Sequence, residues 1–184
     1  MNAHQTDSEK PIRFFAAALI SLFLLLTGCA NEEQKRDYVI PRTLCGMAVD
    51  SDALASFLPA GHKVTVKDSP YPGTKGCQVI VDRILIVTAL QMWADEGQTA
   101  ASVAAGQSFG TLDRSAEEGR YQYSGYEAYG KTQGCVDKKY KQELYVMIEA
   151  SNAKLRDPDA MKRLIASFTK SVEKSVECTS GAGR

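Results

Sequence analysis

Residues 77–93 read CQVIVDRILIVTALQMW, a run too rich in β-branched and apolar side chains to sit comfortably in a helix. It reads as two strands, 77–81 and 84–92, joined tightly at Asp82 and Arg83. Asp-Arg is not the favoured Asn-Gly type of two-residue turn, so a single long bent strand is the alternative. Either way the run must be buried in a sheet, and the rest of the chain has to supply its neighbours.

Neighbours are available on both sides. HKVTVKD alternates Val64 and Val66 on one side and reads as a strand. SPYPGTKG is turn chemistry, centred on Pro72 and Gly73. YEAYGKTQGCV and KQELYVMIEAS are two further strands, the second alternating Leu144, Val146 and Ile148 against Tyr145, Met147 and Glu149. Residues 110–125 read as loop or irregular strand. Three helices punctuate these runs. DSDALASFLP offers Asp50 or Ser51 as N-cap and Pro59 as a stop. GQTAASVAAGQSFG starts at Thr99, with Ala100, Val103 and Ala104 forming a small face suited to lying close on a sheet. DPDAMKRLIASFTKSVEKSVEC has Asp157 as cap, Pro158 in its first turn, and one stripe of Met161, Leu164, Ile165, Phe168, Val172 and Val176. This order predicts a single α+β domain over residues 43–180. Its antiparallel sheet has about four to five strands, covered on one side by two to three helices, with the last helix meeting strand 84–92 in the core. Residues 181–184 are a C-terminal tail. A loose echo links the halves, each placing a Cys-bearing strand before a longer apolar one.

The N-terminus has a different character. FFAAALISLFLLL, residues 14–26, carries no charge and follows Lys10 and Arg13. It is shorter than the ~20 apolar residues a bilayer crossing needs, and suits the hydrophobic region of a secretory signal. Directly after it, Leu26, Thr27, Gly28 and Cys29 resemble the lipobox of bacterial lipoproteins. The resemblance implies a signal peptide over residues 1–28, cleavage after Gly28, and a diacylglyceryl thioether on Cys29. It also implies a lipidated N-terminus and polar tether over residues 29–42, and a place at the cell membrane facing the extracytoplasmic side. Two or three acyl chains, at ~0.8 kcal/mol per buried CH₂, anchor far more firmly than one. Across its length the chain is similar to small surface lipoproteins of high-GC Gram-positive bacteria. The shared features are the lipobox, the short tether, an early LCG, a strand opening GCQV and a Cys closing the last helix.

Export changes how the other cysteines read. Cys45, Cys77, Cys135 and Cys178 are an even set in an oxidising compartment, predicting two disulfides with three possible connectivities. Proximity along the chain favours Cys45 with Cys77 and Cys135 with Cys178, although chain entropy barely separates the three. No metal and no cofactor are expected. There is no C-x-x-C, and His62 is the one histidine outside the signal segment. GTKG is too short for a phosphate-binding loop. The 22 basic and 22 acidic residues balance, so no field is available to hold nucleic acid.

Candidates for chemistry are sparse. Ser51 and Ser69 have turn or cap contexts without a nucleophile elbow. Asp157 and Asp159 stand at a helix start, where negative charge is stabilising in any case. Glu117 and Glu118 look like a solvated loop. The one anomaly is RYQYSGYEAYGK, with Tyr121, Tyr123, Tyr126 and Tyr129, which can supply a binding surface or pack as ordinary strand residues. The expectation is a non-enzymatic module anchored to the membrane through Cys29, binding an envelope ligand or partner protein. The alternatives are an envelope hydrolase or transferase with a dispersed carboxylate pair, and a structural accessory of a membrane complex. Expression in a bacterial host should yield a detergent-partitioning protein whose N-terminal peptide begins at Cys29 and carries acyl mass. Cys29→Ala should accumulate as unprocessed precursor, and a mature terminus elsewhere with a free Cys29 thiol would refute the lipobox.

Overall fold

A computed structural model describes residues 35–69, 74–108, 110–152 and 154–179. The signal segment, Cys29, tether residues 30–34, the turn at Pro72 and Gly73, and the C-terminal tail lie outside the described residues.

Two antiparallel meanders build one seven-stranded sheet. The first is β3 (Val64–Asp68), β4 (Lys75–Val81) and β5 (Ile84–Asp95). The second is β6 (Arg114–Ala116), β7 (Tyr121–Tyr123), β8 (Glu127–Asp137) and β9 (Gln142–Ala150). Their last strands join, giving the order β3-β4-β5-β9-β8-β7-β6. A separate ribbon of β1 (Thr43–Leu44) and β2 (Met47–Ala48) precedes α1 (Ser51–Ala55). The other helices are α2 (Ala100–Gln107), α3 (Pro158–Val172) and α4 (Val176–Thr179). The α+β class and the antiparallel sheet are therefore as the sequence predicts.

The sheet is larger than four to five strands, because residues 110–125 fold into the hairpin β6–β7. Its turn places Glu117, Glu118 and Gly119 at φ of 49°, 56° and 86°. Two of these are not glycine, a conformation that propensity disfavours, so the sequence hides the turn. The tight joint at Asp82 and Arg83 is a true two-residue hairpin, since Val81 pairs with Ile84 and both turn residues have positive φ. Aspartate suits this position because its carboxylate accepts backbone N–H bonds from His62 and Lys63 at 2.9 Å each.

Helices lie on both sides of the sheet, not one. Alternation sends Val87, Ala89, Val146, Ile148, Ala128 and Tyr121 to a first face, where they share a core with α1 and α3. The opposite parity sends Leu90, Met92, Tyr129, Tyr145 and Met147 to a second face, packed on Val103 and Ala104 of α2. The small residues of α2 thus do let it lie close, but on the side away from α3. Helix α3 buries Met161, Leu164, Ile165, Phe168 and Val172, lies nearest β7, β8 and β9, and shares its core with Ile86, Val87 and Ala89 of β5. Each such side chain contributes roughly 1.5–3 kcal/mol when taken from water. Gly130 makes the close approach possible, since a Cβ there would stand 2.5 Å from Thr169 Oγ1 and 3.2 Å from the Tyr121 ring.

The last helix stops sooner than its stripe predicts. After Val172 the chain bends through Glu173, Lys174 and Ser175, and α4 restarts with Val176 exposed rather than buried. That bend brings Cys178 to Cys135, and the second disulfide joins Cys45 to Cys77. The pairing is the one favoured by proximity, with separations of 32 and 43 residues. In the chain-entropy model, loops of these sizes each contribute roughly 3.5–4 kcal/mol. Cys77 on β4 and Cys135 on β8 flank the central β5–β9 pair, which gives the echo between the halves a structural form. The domain also begins earlier than residue 43. Arg36 bridges Gly61, Asp37 N–H bonds Gly61 O at 2.9 Å, and Tyr38 and Ile40 pack against the core.

Gly130→Ala should destabilise the domain by ~1–3 kcal/mol in chemical denaturation, because the added methyl must displace α3 or the Tyr121 ring. Gly106→Ala, in open space on α2, should instead be neutral or stabilise by up to ~1 kcal/mol. Equal effects at the two sites would contradict this packing.

Candidate binding cleft

Three of the four tyrosines in the cluster are buried rather than exposed as a surface. Tyr121 and Tyr129 are fully buried and Tyr123 is buried, with Tyr121 and Tyr123 in the core shared with α3 and Tyr129 in the core shared with α2. Burial pushes the Tyr121 phenol up to about 12, and it raises Tyr129 further, with the Glu127 carboxylate adding to the effect. Tyr126 is half-buried, its hydroxyl against Gly110 and its ring under the Arg156 guanidinium at 4.4 Å. The reason is positional. These residues flank internal strand pairs, and alternation turns them into the two cores rather than toward water.

Other sequence candidates have structural roles. His62 is exposed, with Nδ1 2.9 Å from Asp37 Oδ2. Asp157 caps α3 by accepting from Ala160 N–H at 2.9 Å. Trp93 is partly buried against the first-face core. Among the described residues, no group of three or more His, Cys, Asp or Glu side chains is placed to hold a metal.

A concavity of about 760 Å³ opens where three irregular segments meet. One is the link 97–100 that leads from β5 into α2, and another is the β6–β7 turn with Glu117, Glu118 and Arg120. The third is a bulge in β8. Register jumps between Lys131, opposite Tyr145, and Val136, opposite Glu143, leaving residues 132–135 looped out. Thr132 anchors this bulge by donating to Leu144 O at 2.6 Å, and Gly134 takes a φ of 77°. The same bulge delivers Cys135 to its disulfide.

Charges of both signs line the cleft. Lys131 Nζ donates to Glu143 Oε2 at 2.6 Å and to Gln98 O at 3.0 Å. Burial alone would lower the Lys131 pKa, but the adjacent Glu143 carboxylate outweighs it and holds the ammonium above the usual lysine value. Glu143 behaves reciprocally: burial opposes ionisation, while Lys131 and the Gly97 N–H overcome it and keep the carboxyl below its usual range. Tyr145 donates to Gln98 O at 2.6 Å, bracing the link into α2. Arg120 Nε donates to Lys131 O at 3.1 Å, and its guanidinium pairs with Glu117 and Glu173. The lining holds Glu117, Glu118 and Glu143 against Arg120 and Lys131, so it is acidic by one charge. Such a site can hold a polar ligand bearing a cationic group, within the 300–1,000 Å³ common for small-molecule pockets.

Sequence reasoning missed this cleft because Lys131 and Glu143 belong to separate strands without any shared motif. The available signal was the strand alternation around Glu143 and Glu149, which puts both on the second face with Tyr145 and Met147.

A second polar cluster lies on that face. Glu127 on β8 pairs in register with Glu149 on β9. Glu127 is buried, accepting from Ser108 Oγ at 2.7 Å and from Tyr129 OH at 3.1 Å. Glu149 is half-buried, and desolvation, followed by the nearby Glu127 charge, raises its pKa. A carboxyl raised in the native state contributes stability below its unfolded pKa, and this is lost as pH rises through the native value. Glu149→Gln should therefore raise the melting temperature at pH 7, by the ~0.2–1 kcal/mol that facing like charges cost. The gain should fade below about pH 4, where both forms are neutral. Destabilisation by Glu149→Gln at pH 7 would overturn the repulsive reading.

No known family, curated protein or solved structure matches the chain, and the reading of this cleft rests on its own geometry.

Proposed function

We propose that the protein is a lipid-anchored, extracytoplasmic module that binds a small polar ligand with a cationic group in the cleft between α2, the β6–β7 turn and the β8 bulge. The observation that carries the binding reading is the cleft itself, a concavity of about 760 Å³ whose lining charges come from three separate elements, the β6–β7 turn, β8 and β9. The Lys131–Glu143 pair holds its floor in one geometry, while Glu117 and Glu118 are exposed at its lip. The location rests on the lipobox at Cys29. Two formed disulfides fit an oxidising compartment. No nucleic-acid partner, metal or cofactor enters the reading.

A second reading, a hydrolase or transferase of envelope polymers, is favoured by one observation, the raised carboxyl of Glu149 beside Glu127. Against it, Glu127 is 1% exposed and both its oxygens are engaged by Ser108 and Tyr129, so a substrate cannot reach it without local opening. An acid–base pair also needs both groups within reach of the substrate.

The mature protein, titrated with amine-bearing and zwitterionic fragments, should show amide chemical-shift changes concentrated at Gln98, Gly119, Lys131 and Gly134. Glu118→Gln should weaken the response about two- to fivefold, as expected for loss of one exposed charge partner. Shifts scattered over the surface, or clustered elsewhere, would remove the cleft. Turnover of a peptidoglycan or ester substrate that Glu149→Gln abolishes would replace the binding reading with the second.

A further inference from the structure

Charge is unevenly distributed on this neutral chain. The end of the domain where the N-terminal segment joins carries Lys35, Arg36, Lys63, Lys67 and Arg83, all exposed, against Asp37 and Asp82. Both acids are already committed. Asp37 pairs with His62, and Asp82 accepts from the backbone of His62 and Lys63. Lys63, Lys67 and Arg83 surround one shallow hollow of about 590 Å³ together with Thr65, Ile80 and Asp82, so three cations face one carboxylate that the backbone already engages. Beside it, at the tip of the β4–β5 turn, Ile84 is 65% exposed and Leu85 37% exposed. A large aliphatic side chain held out on a turn next to three cations has no folding rationale.

The anchor supplies one. Arg36 is fixed beside Gly61, and Gly61 lies against Val81 and Asp82, so the chain joins the domain next to this same turn. Only five residues separate Cys29 from Lys35, six Cα–Cα steps with a reach of at most ~20 Å. A short tether attached here holds this end of the domain near the headgroups. We infer that the face formed by Lys63, Lys67, Arg83 and the Ile84–Leu85 turn docks on an anionic lipid surface, with the cations on headgroups and Ile84 entering the interface. The inference rests on Cys29 being the anchor for its proximity argument; the charge and exposure of the face do not depend on it.

Lys138, Lys139 and Lys141 form an equally basic turn between β8 and β9, but beside Asp95, at the other end of β5. Twelve residues of β5 separate the two ends by about 35 Å, beyond the span of the tether. The cleft lies at that distal end, around Gly97 and Gln98. Docking through Arg83 and Ile84 therefore leaves the cleft facing away from the membrane.

The test is hydrogen–deuterium exchange on the mature protein with vesicles of phosphatidylcholine alone or mixed with phosphatidylglycerol. Peptides covering residues 62–67 and 80–86 should exchange several-fold more slowly on the anionic vesicles only, and 0.5 M salt should remove the protection. Lys63→Glu/Lys67→Glu/Arg83→Glu should abolish it, whereas Lys138→Glu/Lys141→Glu should not. Ile84→Ser should reduce it while leaving its salt dependence intact. Equal exchange of wild-type protein on both vesicle types overturns the docking face, whatever the variants do. Protection reproduced by inorganic phosphate without vesicles overturns it also, by assigning the hollow to a soluble anion. The mass of the N-terminal peptide separates the two readings. Acylated Cys29 with no protection leaves the anchor and removes the face; unacylated protein that is protected and co-sediments with anionic vesicles leaves the face and removes the anchor.

Discussion

The pairing of β5 with β9 is the constraint on which the rest depends. It runs from Val87 opposite Ala150 to Asp95 opposite Gln142, without a break in register, and closes two meanders into one sheet. Because strand parity alternates, this single register decides which side chains share each core. Val87, Ala89, Val146 and Ile148 fall beneath α1 and α3, and Leu90, Met92, Tyr145 and Met147 fall beneath α2. A slip of one residue would exchange the two sets and leave α2, whose inward face is alanine and valine, against side chains shaped for a longer helix. The cleft inherits the same dependence, since Glu143 reaches Lys131 only when β9 is in this register with β8.

What was legible in the sequence is what local chemistry dictates. The apolar run 77–93 announces two central strands, and Asp157 with Pro158 announces the start of α3. Thr99 announces α2, where Ser102 completes a capping box. The missed hairpin β6–β7 turns on Glu117 and Glu118 in left-handed conformations, which no propensity rule favours; sheet pairing on both sides outweighs the local cost. The overreach of the last helix to Val176 has a similar origin. Its stripe continues in sequence, but the link to Cys135 makes the chain bend at Glu173, whose carboxylate is drawn to Arg120 and to the Gln133 N–H.

Site legibility failed for a related reason. A tyrosine cluster is visible in one dimension and invites a surface reading, yet parity hides three of its four members in the cores. The polar cleft is invisible in one dimension because its charges are spread over residues 117–143 and converge only through a bulge and a turn. The structural rule is that regular strands consumed the conspicuous aromatics, while the irregular joints kept polar groups near water. The Glu127–Glu149 pair sits between these cases. Glu149 falls in a clear alternation, but its neighbour in space is set by register alone.

The two disulfides are sequential in the chain, neither enclosing nor crossing the other. A chain that emerges N-terminus first can close Cys45 to Cys77 while Cys135 still lies 58 residues behind Cys77, so the first correct bridge forms with no competing thiol from the second. The central strand β5 has a longer wait, since its partner β9 follows only after α2 and three further strands. During that interval the apolar edge of β5 is open, and the first bridge holds the β1–β2 ribbon against β4 beside it. Vectorial synthesis thus separates the two thiol pairs in time, and leaves the exposed edge of β5 as a step at which assembly is vulnerable to aggregation.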